Sequence, residues 1–426
     1  MTPGTLPAAE VGPVNGRQPR VEWRGLMLDS ARTRFPVSVI KQVITLAARY
    51  GFNRLHWHLT DDQGWRFEVP GYPGLTESAA FLPRGDFDDY DSLLGDSRQR
   101  AIDEAADKWT NGYYSDEEIA DVVAHASTHS VVIVPEVDVP GHMMAAIRAY
   151  PELGRPEGLP LPTQSMREHM WWPARNDLLW PTDAAREFLA AVMRRIAELF
   201  PGPYVHIGGD ECAYQQWSSD PDIDDWIRKR GLSRVEDLQT WFMDDATRVL
   251  RENGKSVAVW DEACEISDAD DMLVVAWDEE RGMERVSRAR QRYVFADART
   301  LYLNRVDPDA GEDQKGMVPA ISVDDILSAP WEESYDERCV GIQACVWSEF
   351  VLDGADLMSM LFPRLLAVSE RIWNPELDPS ETRERIRREY DVLAASGVLE
   401  THQEAYAATA LANQPQDVAL AQSPAR

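Results

Sequence analysis

Eight short runs rich in β-branched and aromatic residues recur along the chain, and segments with helical periodicity separate them. Alternation of this kind predicts βα units around a parallel sheet, and eight is the number of strands with which a (β/α)8 barrel closes. The sequence therefore predicts an α/β chain folded as a single TIM barrel. The predicted strands cover residues 21–28, 53–59, 131–137, 204–207, 256–260, 273–277, 292–296 and 341–347.

The helical segments between these runs carry end signals. Ser115 and Glu118 have the spacing of a capping box, in which the two side chains satisfy the first free amides of a helix. The predicted helices cover residues 36–50, 115–129, a segment that follows Thr182-Asp183, 233–253 and 356–373.

Two connections, residues 61–111 after the second strand and residues 138–180 after the third, are long. Loops of this length in a compact domain are usually functional, and in a barrel they lie on the face where active sites form. We expect one barrel domain over residues 21–410. The flanking residues 1–20 and 411–426 lack apolar periodicity, and we expect them to be loose tails.

The net charge of the chain limits the partners that it can bind. Its 73 acidic and 43 basic side chains give a formal charge of −30, which repels phosphate backbones and anionic lipids. We therefore expect no nucleic-acid and no membrane partner.

The amino terminus shows no apolar segment of a secretory signal, so a cytoplasmic location is expected, although a secreted mature form would look similar. The sequence does not indicate an oligomeric state.

Tryptophan and carboxylate side chains recur where the predicted strands end. Examples are Trp260-Asp261, Trp277-Asp278 and Trp347-Ser348-Glu349. Indole rings stack on the apolar face of a pyranose, and carboxylates accept hydrogen bonds from its hydroxyls. This pattern predicts a sugar site, with a small-molecule or oligosaccharide substrate as the partner. Packing of the same tryptophans as layers of the barrel is the alternative.

The adjacent acids Asp210 and Glu211 follow Gly208-Gly209 at the end of the fourth predicted strand. The usual pair of carboxylates in a glycosidase lies on opposite sides of the scissile bond, which neighbours in sequence can hardly do. Two adjacent acids fit better if one protonates the glycosidic oxygen and the other orients a group beside the anomeric carbon.

Six stretches of the chain, together with the Trp260 and Trp277 strand ends, resemble in order and spacing the family 20 glycoside hydrolases, the β-N-acetylhexosaminidases. The resemblance covers about residues 21–375. It implies a TIM-barrel enzyme without a cofactor that removes terminal GlcNAc, or GalNAc, by exo-acting, retaining, substrate-assisted catalysis through an oxazolinium intermediate. The stretches read RGLMLDSARTRFP, FNRLHWHLTDDQGW, VPEVDVPGH, HIGGDE, LYLN and VWSE.

The resemblance also implies roles for individual residues. Glu211 would be the general acid and then the base, and Asp210 would orient the acetamido group. Tyr302 would hydrogen-bond the acetamido oxygen, and Asp61 and His142 would steer the proton on Glu211. The implied sugar-binding residues are Arg24, Trp260, Trp277, Trp347 and Glu349.

The segment Tyr302-Leu303-Asn304-Arg305 departs from the Tyr-Leu-Asp of many family members. An amide in place of a carboxylate, next to a guanidinium, would make the rim of the pocket more positive. The hypothesis is that Asn304 and Arg305 bind substrate and allow a 6-sulfated GlcNAc. The alternative is that Asn304 bonds a neutral hydroxyl and Arg305 points into solvent.

Two other classes of protein remain as alternatives. His56 and His58 have the spacing of a metal pair, which would suit a metal-dependent barrel hydrolase, but such sites need further His ligands on later strands. Trp260 and Trp277 occupy two of those strand ends, so we expect no metal. The second alternative is a carbohydrate-binding barrel without catalysis, for which loss of Asp210 or Glu211 would have been the sign.

Overall fold

Eight parallel strands close into a barrel, in which each strand pairs with the next along the chain and the last pairs with the first. The computed structural model describes residues 6–14, 16–81, 112–156, 178–265, 272–279, 281–308, 314, 316–331, 335–374 and 378–399. The predicted barrel is confirmed. Its strands are β1 (Trp23–Asp29), β2 (Arg54–His58), β3 (Val132–Glu136), β4 (Tyr204–His206), β5 (Ser256–Trp260), β6 (Leu273–Ala276), β7 (Tyr293–Phe295) and β8 (Cys339–Val346).

Alternate residues of each strand face either the interior of the barrel or the surrounding helices. In β2, Leu55 and Trp57 belong to the large apolar cluster between strands and helices. His56 and His58 alternate with these two residues in sequence and therefore project into the barrel, where both are buried. The period of two residues thus places polar side chains in the interior, beneath the face formed by the carboxyl ends of the strands.

The helices form the outer ring. They are α1 (Val37–Arg49), α2 (Gly74–Glu77), α3 (Asp116–Thr128), α4 (Met144–Ala149), α5 (Asp183–Leu199), α6 (Gln215–Ser218), α7 (Pro221–Lys229), α8 (Asp237–Glu252), α9 (Gly282–Ala289), α10 (Ala298–Leu301), α11 (Val323–Ser328), α12 (Gly354–Leu361), α13 (Arg364–Trp373) and α14 (Pro379–Ala395). No helix of the described ranges is long and apolar enough to cross a membrane.

The helix predicted at residues 356–373 is two helices, α12 and α13. Phe362, between them, has extended backbone angles. The residue before a proline is disfavoured in the helical region, and Pro363 follows Phe362. The apolar periodicity continues across this break, which explains why the pattern predicted a single helix.

The segment from Glu10 to Gly12 is anchored, although a loose tail was expected at residues 1–20. The side chain of Val11 is fully buried. The amide of Glu10 donates to Glu389 of α14 at 2.9 Å, and the amide of Gly12 donates to Glu370 of α13 at 3.3 Å. The predicted tail at residues 411–426 lies outside the described residues, as do residues 82–111 and 157–177 of the two long connections.

The amino end of α3 allows a test of the predicted capping box. Ser115 Oγ accepts the Glu118 amide at 3.2 Å, and Glu118 accepts the Ser115 amide at 3.0 Å. We expect Ser115→Ala to lower the free energy of unfolding by about 1 kcal/mol, because an amide of the first turn loses its acceptor. Denaturant titration measures this change. Ser127→Ala, at an exposed position of the same helix, is the control, and equal effects of both substitutions would contradict the assignment.

Candidate active site

The turn that follows β4 brings two adjacent carboxylates to the face formed by the carboxyl ends of the strands. Gly208, Gly209 and Glu211 have positive φ angles of 61°, 98° and 48°. A Cβ on Gly208 would lie 1.9 Å from Asp138 Oδ1, so only glycine fits there. The glycines thus allow the backbone to turn sharply against the end of β3, with the side chains of Asp210 and Glu211 next in the chain.

His142 connects this pair to a second pair of acids. Its Nε2 lies 3.5 Å from Glu211 Oε2 and 4.0 Å from Asp210 Oδ2. Its Nδ1 lies 3.2 Å from Asp61 Oδ1 and 3.5 Å from Asp62 Oδ2. Burial opposes the charged imidazolium, but Asp61, Asp62 and Asp138 together outweigh burial and raise the pKa of His142 well above its ordinary value. The structure therefore brings together Asp61, His142, Asp210 and Glu211, as the motif resemblance implied.

The protonation of Glu211 is set by burial and by these neighbours. Burial raises the pKa of Glu211 to about 7, the charge of Asp210 adds to the rise, and His142 opposes it. A carboxyl group with a pKa in this range can both donate and accept a proton near neutral pH.

Asp138 also belongs to the site, although the sequence motifs did not predict it as a site residue. Its Oδ1 accepts the Gly209 amide at 2.8 Å. Burial, followed by the charge of Asp210, raises the pKa of Asp138 well above its ordinary value. Asp138 follows β3 within the PEVDVPGH stretch, so its place at a strand end was the available signal.

Aromatic rings form a continuous wall beside the acids. The rings of Trp277 and Tyr302 stack with centroids 6.0 Å apart and planes 17° apart. Trp347 lies 6.2 Å from Tyr302 and 5.8 Å from Trp260. Trp277 is half-buried, whereas Trp260 is fully buried and donates its indole N–H to Glu136 at 2.7 Å. Trp260 therefore lies in the floor of the site, beneath the other three rings.

Arg24 does not lie at this site. It is the second residue of β1, at the amino end of the strand, where its guanidinium donates to the carbonyl oxygens of Gly51, Val21 and Glu22. It also lies over the ring of Trp373, 5.1 Å from the centroid. The implied sugar-binding role of Arg24 is corrected on this geometry, because the acids lie at the opposite end of the barrel.

Arg32, just beyond the carboxyl end of β1, is the arginine that reaches the site. Its Nη2 lies 2.9 Å from Asp61 Oδ2, and its guanidinium lies 5.2 Å from the centroid of the Trp347 ring. Burial raises the pKa of Glu349 to about 7, and the charge of Arg32 opposes this rise. Arg32 belongs to the same RGLMLDSARTRFP stretch as Arg24, and the direction of the strand was the signal that distinguished them.

Asn304 and Arg305 are both buried, so Arg305 does not point into solvent. Arg305 is 3% exposed, forms an ion pair with Glu279, and donates through Nε to the carbonyl of Ala298 at 2.9 Å. Asn304 is fully buried, with Nδ2 3.0 Å from the sulfur of Met317. The carboxylate of Glu279 already neutralises the guanidinium of Arg305, so this side chain offers little positive charge to a sulfate.

The last residues of four consecutive strands meet beneath the site. Glu136 of β3 receives the indole of Trp260, and its Oε2 lies 2.5 Å from Nδ1 of His58. His206 Nδ1 lies 3.1 Å from Oε1 of the same carboxylate. Nε2 of His58 lies 2.8 Å from Asp61.

The ionic contacts of His58 explain its charge and its place in the barrel. Burial opposes the charged ring, but Glu136 and Asp61 together raise the pKa of His58 to about 10. Both ring nitrogens of His58 therefore have carboxylate partners. Nδ1 of His56 accepts from Gln343 at 3.0 Å, and Nε2 of His56 lies 3.0 Å from Oε2 of Glu136.

Comparisons with known proteins agree with this geometry. A Beta-hexosaminidase of Porphyromonas gingivalis is 31% identical over 381 residues, which are 88% of this chain and 45% of that protein. A Beta-N-acetylhexosaminidase of Cellulomonas fimi is 31% identical over 386 residues, 88% of this chain and 67% of that protein. Like the first of these, the Beta-hexosaminidase of Vibrio furnissii is much longer, and the chain spans 56% of it.

A solved structure gives the same result. The family 20 exo β-N-acetylglucosaminidase of Vibrio harveyi, in complex with N-acetylglucosamine, matches with a TM-score of 0.76 and 30% identity over 90% of this chain and 59% of that one. The family model of the glycosyl hydrolase family 20 catalytic domain matches residues 21–376. With this barrel, this pair of acids and these matches, the chain belongs to glycosyl hydrolase family 20.

Proposed function

We propose that the chain is an exo-acting, retaining β-N-acetylhexosaminidase that removes terminal β-linked GlcNAc from glycosides. The observation that carries this proposal is the adjacent pair Asp210 and Glu211, with His142 3.5 Å from the Glu211 carboxylate. Adjacent acids suit a reaction in which the substrate supplies its own nucleophile. The relative of known structure that is named an exo β-N-acetylglucosaminidase, with N-acetylglucosamine bound, supports the same substrate.

In the first step, Glu211 donates its proton to the glycosidic oxygen while the bond from that oxygen to C1 breaks. The carbonyl oxygen of the 2-acetamido group attacks C1 and closes an oxazolinium ring. Asp210 accepts a hydrogen bond from the acetamido N–H and stabilises the positive charge that develops there. Tyr302, whose side chain is 5% exposed beside the Trp277 ring, donates its hydroxyl to the acetamido oxygen.

In the second step, Glu211 removes a proton from a water molecule, which attacks C1 and opens the oxazolinium ring. Attack from the face that the leaving group vacated retains the configuration at C1. The charge on His142 stabilises the Glu211 carboxylate between the steps, and Asp61 holds the imidazolium in place at 3.2 Å. The pKa of Glu211, raised to about 7 by burial, keeps the proton available for the first step.

The sugar is bound by the aromatic wall and by two charged groups. The rings of Trp277, Tyr302 and Trp347 offer apolar faces to the pyranose. Arg32 and Glu349, which is 8% exposed, are assigned to the ring hydroxyls, with Arg32 in the role first expected for Arg24. GalNAc differs from GlcNAc only at C4, and we place it second as a substrate. Tolerance of a 6-sulfate is not carried forward, because Glu279 compensates Arg305.

The general acid can be tested with an aryl β-GlcNAc substrate. The parent protein should release the chromogen, and Glu211→Gln should lower kcat/KM by about 10³-fold, because the amide cannot donate a proton to the leaving group. Glu284→Gln, at an exposed position of α9, is the matched control and should behave as the parent. No release by the parent would favour the carbohydrate-binding barrel instead, and full activity of Glu211→Gln would remove the assignment of Glu211.

The pH dependence follows from the same carboxyl group. Glu211 must be protonated to act as the acid, so kcat/KM should fall as the pH rises through about 7, the pKa that burial gives Glu211. Asp210→Asn removes a negative charge that raises this pKa, so the alkaline limb of its residual activity should move to lower pH. A limb that moves to higher pH would contradict this electrostatic coupling.

The two arginines of β1 and its extension give a paired test of the sugar site. Arg32→Lys should raise KM for the aryl β-GlcNAc substrate about tenfold, because an ammonium loses the forked donors of the guanidinium. Arg24→Lys, at the opposite end of the barrel, should leave KM within about twofold of the parent. Competition by free GlcNAc measures binding independently. A larger effect at Arg24 than at Arg32 would contradict the placement.

A further inference from the structure

The amide of the catalytic acid is held by a side chain that the mechanism above does not use. Glu211 has a φ of 48°, in the left-handed region that costs a non-glycine residue about 1 kcal/mol or more. Its backbone N–H donates to Oε2 of Glu262 at 3.1 Å. A strained conformation persists only where the surroundings hold it, and this hydrogen bond is a contact that does so directly.

Glu262 itself extends from a firmly anchored turn. It lies in the short 3-10 segment Asp261–Glu265, directly after β5. The preceding residue, Asp261, is fully buried and accepts the amides of Trp277 at 2.7 Å and Asp278 at 3.2 Å. Asp261 also forms an ion pair with Arg285 at 2.8 Å. The backbone beneath Glu262 is therefore tied to the end of β6, so the position of its carboxylate is well defined.

The same turn also packs against the glycines that precede the acids. A Cβ placed on Gly209 would lie 2.8 Å from the Cβ of Ala263. The two turns, one after β4 and one after β5, are thus in close contact, and the hydrogen bond from Glu211 to Glu262 connects them through a polar group.

We propose that Glu262 is a positioning residue for Glu211: by accepting the Glu211 amide, it fixes the left-handed backbone that directs the Glu211 side chain towards His142. This inference rests on the proposed role of Glu211 as the general acid. Glu262 acts through Glu211, and no contact of its own with the substrate is required.

Charge is not essential for this role. Burial raises the pKa of Glu262 to about 8, and the neighbouring charges of Asp210 and Glu211 add to the rise. A protonated carboxyl group still has a carbonyl oxygen that accepts an N–H. Glutamine offers the same acceptor on a side chain of the same length, so Glu262→Gln preserves the contact, whereas Glu262→Ala removes it.

The test compares two leaving groups, because a misplaced acid matters only where the leaving group needs a proton. Phenyl β-GlcNAc has a poor leaving group, and the 2,4-dinitrophenyl glycoside has one that departs without protonation. We expect Glu262→Ala to lower kcat/KM about 10- to 100-fold for the phenyl glycoside and no more than about threefold for the dinitrophenyl glycoside. Glu262→Gln should remain within about fivefold of the parent on both substrates.

A purely structural role would lower both activities of Glu262→Ala alike, and that result would overturn the proposal, as would parent-like activity on both substrates. If Glu262→Ala does not fold, Glu262→Asp replaces it, because the shorter side chain withdraws the acceptor, and the same selective loss is expected. Glu211→Gln, measured in parallel, separates the two claims. If that variant is fully active, the proposed function fails. If it is inactive while the Glu262 variants match the parent, only this inference fails.

Discussion

The rest of the site depends on the hydrogen-bond donors and opposite charges that stabilise one buried carboxylate, that of Glu136. A charge in the interior of a barrel is stable only if hydrogen-bond donors and opposite charges surround it. Here the donors come from the strand ends on either side, with Trp260 at 2.7 Å and His58 at 2.5 Å. The need to supply these donors explains why the inward positions of β2 are histidines while its outward positions are apolar.

The same interaction connects the interior to the two acids that we propose to be catalytic. His58 lies between Glu136 and Asp61, Asp61 contacts His142, and His142 reaches the carboxylate of Glu211. Negative and positive side chains alternate along this series of contacts, so a change at one side chain alters the charge balance at the next. Because Trp260 bonds to Glu136 and packs 5.8 Å from Trp347, the same carboxylate fixes the floor of the site.

The repeating features of the fold were predictable from the sequence, because they follow from local rules. All eight strands were found from short apolar runs, and the capping box of Ser115 and Glu118 formed as its spacing predicted. The pair Asp210 and Glu211 was recognisable because two glycines and a strand end preceded it. The break at Phe362 was not found, because apolar periodicity continues through it and only the proline that follows disfavours the helix.

By itself, the sequence determined the barrel, the end of the barrel where acids and tryptophans gather, and the pair of acids most suited to the chemistry. Only the tertiary structure decided which charged side chains reach that end. Arg24 and Arg32 belong to one motif, but β1 is about 20 Å long from end to end, so the earlier residue lies at the far side of the barrel. The sequence also left open which group Arg305 contacts, because its ion-pair partner Glu279 follows a different strand. Contacts between residues distant in sequence decide where such side chains lie, and the pattern of residues along the chain does not show these contacts.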